Sequence, residues 1–93
     1  MLPVEKLKCV TNCSLNEIYG GKQMLIDFEN GYSASIVKTR YSYGGNRGLF
    51  ELAVLVDDEL VYDNEVAQGD VRGHLTEKEV MVLLKKISEF EKI

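Results

Sequence analysis

Between Arg40 and Gly48 the chain reads RYSYGGNRG, the one stretch where glycines, aromatic rings and guanidinium groups converge. Three glycines and Asn46 permit positive φ, and successive backbone N–H groups in such a loop can form an anion-binding nest. Arg40 and Arg47 suit a phosphate or carboxylate, and Tyr41 and Tyr43 suit stacking on a ring. The spacing matches neither the P-loop nor the dinucleotide fingerprint, and an apolar strand follows where both need a helix. Three readings stay open: a connector crossing between hairpins, a contact for a protein or peptide, and a cradle for a small nucleotide-like anion. The candidate binding residues are Arg40, Tyr41, Tyr43, Gly44, Gly45, Asn46 and Arg47, because loops carry function more often than their share of residues.

Elsewhere the chemistry is sparse. Cys9, Cys13 and His74 are the soft metal ligands of the chain. A structural zinc site takes four such ligands, commonly in closely spaced pairs, so no metal is expected. The cysteines read as buried or incidental thiols. His74 stands beside a helix start without a nucleophile pattern and reads as a packing or capping residue. Asp57, Asp58, Glu59 and Asp63 surround a turn but lack the ligand alternation and distal glutamate of an EF-hand, so they read as solvated. No catalytic constellation emerges, and neither an enzyme nor a cofactor is expected.

The elements that must position these residues are read from periodicity. Residues 1–22 are expected to be irregular. Pro3 opens a short helix there, or Val4 to Val10 forms an edge strand. Ser14 to Glu17 has the capping-box pattern and Gly20 stands as a stop, which predicts one helical turn over Leu15 to Tyr19. Residues 23–63 read as two β-hairpins. In the first, Met24 to Glu29 and Tyr32 to Lys38 flank Asn30-Gly31, a type I′ turn signal. That two-residue loop sets Phe28 opposite Ser33, Ile26 opposite Ser35 and Met24 opposite Val37. In the second, Leu49 to Val56 is apolar on both faces apart from Glu51, as a mid-sheet strand should be. Asp57 to Glu59 turns the chain and Leu60 to Asp63 returns.

Asn64 to Gly69 reads as a polar loop, and Val71 as a brief extended segment. Residues 75–92 predict a helix. Thr76 and Glu79 form its capping box, Leu75 and Val80 its hydrophobic staple, and Val80, Leu83, Leu84, Ile87 and Phe90 its apolar stripe. Met81 and Val82 lie off the stripe and suit a partner subunit. The fold expected is α+β: an antiparallel sheet of two hairpins with the C-terminal helix packed on one face, in a single domain over 1–93.

Composition narrows the function classes. A chain of 93 residues with 45% hydrophobic and 28% charged residues is ordinary globular usage. A core this thin gains from oligomerisation, so a homodimer suits it. The net charge of -4 disfavours nonspecific nucleic-acid binding, which needs a basic surface. No apolar run approaches the roughly 20 residues of a membrane span. The start, MLPVEKLKCV, lacks the pattern of a signal peptide, so a cytosolic location with reduced thiols is expected.

Four segments together resemble a family. NGYSASIV from Asn30, YGG from Tyr43, GLFELAVL from Gly48 and DVRGHLTEKEV from Asp70 look like a group of small, mostly uncharacterised phage and prophage proteins. The resemblance covers roughly residues 25 to 87, is densest in YGG…GLFELAVL, and brings no activity with it. It implies a phage-encoded accessory protein in a bacterial cytoplasm that binds a host or phage macromolecule, as some such proteins do to inhibit host defences. The leading expectation is therefore a non-catalytic protein-interaction module. The alternative is a protein that binds or sequesters a nucleotide-like anion through the Tyr41–Gly48 loop.

Overall fold

The computed structural model describes residues 2–67, 69 and 71–93. Gln68, in the loop expected over Asn64 to Gly69, and Asp70, which opens the DVRGHLTEKEV segment, lie outside the described residues. The fold is α+β: one antiparallel sheet with a C-terminal helix. Its strands are β1 (Val10–Ile18), β2 (Gly21–Phe28), β3 (Tyr32–Lys38), β4 (Phe50–Val56), β5 (Glu59–Leu60) and β6 (Arg72–Leu75), and α1 spans Glu77–Ser88. They pair in the order β1-β2-β3-β4-β5, with β6 joining β4. β1 to β5 thus form a meander in which β2 pairs with β3 and β4 with β5, and the sheet is extended by β1 before them and by β6 on β4.

The first correction is β1. Leu15 to Tyr19 is not a helical turn: Leu15 to Ile18 belong to a nine-residue strand laid against β2, and Tyr19 begins the turn after it. Tyr19 and Gly20 both take positive φ, 48° and 73°, as a type I′ turn requires, and Ile18 pairs with Gly21. Gly20 therefore ends no helix; it turns a hairpin. The local capping pattern loses because pairing to β2 satisfies the inward-facing backbone groups along the strand, whereas one helical turn is a costly nucleus. Pro3 does precede a short 3-10 helix, Val4–Lys6.

The second correction is the register of β2 on β3. Met24 pairs with Ile36, Ile26 with Ala34 and Asp27 with Ser33. That is one residue away from the register of a two-residue loop. Only Gly31 takes positive φ (95°), and its N–H donates to the Phe28 carbonyl at 3.2 Å. The loop is the three-residue kind, a turn closed by a glycine in the left-handed region. Asn30 is unavailable for a type I′ turn because its side chain points inward and is 7% exposed. Its Nδ2 donates to the carbonyls of Ile87 at 2.8 Å and Phe90 at 3.1 Å, and its Oδ1 accepts from the Tyr32 N–H. A strand turn thereby caps the C-terminal end of α1. The slip moves Ser33, Ser35 and Val37 off the core face, since side chains alternate along a strand. Met24, Ile26, Phe28, Ala34 and Ile36 share that face instead, and all are buried.

β4 lies in mid-sheet, with Leu52 and Val54 about 1% exposed. The turn after it is two residues, Asp57 and Asp58, both at positive φ, and the returning strand is only Glu59–Leu60. The expected polar loop holds a surprise in Val66 and Ala67, which are 0% and 3% exposed. Asn64 Oδ1 accepts from both of their N–H groups, at 3.0 and 2.7 Å. The capping box of α1 forms in both directions: Thr76 Oγ1 accepts from the Glu79 N–H, and the Thr76 N–H donates to Glu79 Oε1. Val80, Leu83, Leu84 and Ile87 are buried against β3, β4 and β6, a burial worth about 2 kcal/mol per side chain. Phe90 is half-buried and packs edge-to-face on Tyr32. No helix of the described residues is long and apolar enough to cross a membrane.

Candidate functional site

The loop from Thr39 to Leu49 turns its polar backbone inward. Thr39 is buried, and its Oγ1 accepts from the N–H groups of Tyr41 and Ser42. Ser42 answers with its hydroxyl, which accepts from the Thr39 N–H at 2.9 Å. The Tyr43 N–H donates to the Glu51 carboxylate at 2.8 Å. Those of Gly45, Arg47 and Gly48 donate to Ser42, Gly44 and Gly45 carbonyls around a 3-10 turn, Gly45–Arg47. A nest needs free amides, and these seven are spent.

The glycines serve close approach. A Cβ on Gly45 would meet the Thr39 carbonyl oxygen at 1.7 Å, and one on Gly44 would meet the His74 backbone at 2.8 Å. Tyr43 belongs to the same seam: its carbonyl accepts from the His74 N–H at 3.0 Å, and a Cβ on Gly73 would collide with it. His74 is thus a backbone partner at positive φ (55°), not a capping group, and its side chain is exposed. Arg47 is exposed at the turn, and Asn46 lines a cleft with Gly45.

Two of the seven candidates come together with a residue that sequence reasoning missed. The Arg40 guanidinium lies 5.5 Å from the centre of the Tyr41 ring, and its Nε donates to the Tyr19 carbonyl at 3.4 Å. The Tyr19 ring meets Tyr41 edge-on at 5.6 Å. Both rings remain 67% and 71% exposed, so the cluster presents itself outward. Tyr19 was hidden by its assignment to a helical turn. Tyrosine and arginine are the residue types that concentrate binding energy at protein interfaces.

This cluster sits at the end of β1, and β1 is the unusual element. It is the terminal strand of the sheet, and Thr11 to Glu17 are all exposed. The opposite side of the sheet ends in short pieces, β5 and β6, which share the far edge of β4. On β1 no lysine or proline guards the edge, and the register irregularity lies at its start, between Val10 and Asn12. A two-residue turn closes on a pair that exchanges both backbone bonds, so Ile18, Asn16, Ser14 and Asn12 spend their polar groups on β2. By the same alternation Cys13, Leu15 and Glu17 direct theirs away from the sheet. Cys13 is a free, exposed thiol rather than a buried one.

No family model matches the chain, and neither the curated proteins nor the solved structures give a match. The described residues contain no group of three histidine, cysteine or acidic side chains placed to hold a metal ion.

Proposed function

We propose that the protein is a small, phage-type accessory protein acting as a non-catalytic protein-interaction module, and that it takes an extended segment of a partner protein as an added strand on β1. The observation that carries the reading is the open nine-residue edge leading into the Tyr19–Arg40–Tyr41 cluster. Long exposed edges are liabilities that folds normally blunt with charge, proline or short length, and one guarded only by Glu17 and a register irregularity at its start is a template for strand addition. Main-chain bonds from Cys13, Leu15 and Glu17 would supply affinity. The tyrosine–arginine cluster would supply an anchor at one end. A second copy of the chain is a partner this edge also fits, consistent with a homodimer.

The test uses Cys13→Pro, which removes an N–H directed away from β2 and so leaves the existing ladder intact. The immobilised wild-type chain should retain a specific protein from bacterial lysate that the variant releases. Equal retention by both forms, or none by either, contradicts the reading.

A further inference from the structure

A cleft of about 940 Å³ opens on the helix-side face of the sheet, between the β1–β2 turn and the start of α1. Lys22, Lys38 and Arg40 line it, against the single carboxylate of Glu77. That balance is opposite to the chain's, which has fifteen acidic and eleven basic residues. Lys22 and Lys38 are direct cross-strand partners, and both continue the apolar stripes of β2 and β3. Like charges directly opposite each other on a sheet are unfavourable, and such local conflicts gather at functional sites.

Each lysine has only a loose partner. Lys38 Nζ lies 4.8 Å above the Phe50 ring, and Lys22 Nζ meets Glu17 Oε1 at 3.4 Å in a pair exposed to solvent on both sides. Leu15 and Leu49 line the same cleft, and Leu15 is 49% exposed. The volume falls in the range of small-molecule sites, which pair apolar walls with a few convergent polar groups.

We infer that this cleft binds a phosphorylated small molecule, its phosphate between Lys22 and Lys38 and its organic body against Leu15 and Leu49. A dianion relieves the repulsion between the two ammonium groups and replaces the Glu17 contact of Lys22. Arg40, held over Tyr41, adds positive potential at the rim. The site shares Leu15 and Arg40 with the β1 edge and its anchor. Its phosphate is held by Lys22 and Lys38, which strand addition does not use, so failure at the lysines leaves the strand-addition reading untouched.

The experiment is an NMR titration of the full chain with phenyl phosphate and, separately, inorganic phosphate, at fixed ionic strength because exposed charges are screened by salt. Phenyl phosphate should shift the Lys22, Lys38 and Leu15 resonances saturably and bind at least about tenfold tighter than inorganic phosphate. Lys22→Gln and Lys38→Gln should each weaken it about tenfold, while Lys85→Gln, on the exposed side of α1, should not. Absence of saturation, or equal affinity in all three variants, overturns the site. Equal affinity for the two phosphates overturns the place assigned to the organic body.

Discussion

Asn30 shows how much one side chain can hold. It closes a strand turn through Oδ1 and caps the last turn of α1 through Nδ2, while its own carbonyl accepts from the Ile93 N–H at 3.0 Å. Asn30→Ala leaves the buried Ile87 carbonyl without this donor, and urea denaturation should show a loss of about 2 kcal/mol. Glu79 gives a second prediction at this scale. Its carboxyl is held below its ordinary value of 4.5, first by the Thr76 backbone N–H and then by the Thr76 side chain. A depressed folded value means that its contribution is full above the ordinary value and fades as pH falls through the lower one. Glu79→Gln keeps a hydrogen-bonding partner for Thr76 but cannot titrate. The stability difference between wild type and variant should therefore shrink as pH is lowered below 4.5, and denaturation curves across that range measure it.

At the scale of elements, exchange should follow pairing. Amides of β4, in mid-sheet, should exchange slowest with deuterium, and those of Cys13, Leu15 and Glu17 on the outer edge of β1 fastest within the strands. Hydrogen exchange of the free chain resolves this, and slow exchange along the outer edge would show that it is already covered. The same contrast explains what was legible in the residues themselves. α1 was, because its cap, staple and stripe are local. β4 was, because a mid-sheet strand buried on one face and half-covered on the other leaves an apolar run. β1 was not, since a strand exposed from Thr11 to Glu17 carries no alternation and its serine, asparagine and glutamate mimic a helix cap. The β2–β3 register was misread because Asn30 answers to carbonyls 57 and 60 residues away. In the candidate loop, Arg40 and Tyr41 were legible as binding residue types. The fate of the loop amides was not, because it depends on Glu51 and on the fold of Thr39 and Ser42.

The whole molecule is lopsided. Its radius of gyration, 12.1 Å, is that of a compact chain of this length, about 12 Å. The exposure of β1 therefore owes nothing to an expanded fold. The helix covers β3, β4 and β6, and the Leu2 to Leu7 segment adds to the same core, while β1 stands outside with its far edge unpaired among the described residues. Strand addition at that edge is the central claim. It is tested most directly by placing a genetically encoded photo-crosslinker at Asn12 or Asn16 on β1, or at Lys85 on α1, and irradiating bacterial cells that make the protein. One partner protein, or a second copy of the chain, should be captured from both β1 positions, not from Lys85, and lost with Cys13→Pro. Capture from Lys85 alone, or capture from β1 that Cys13→Pro leaves unchanged, would contradict the account.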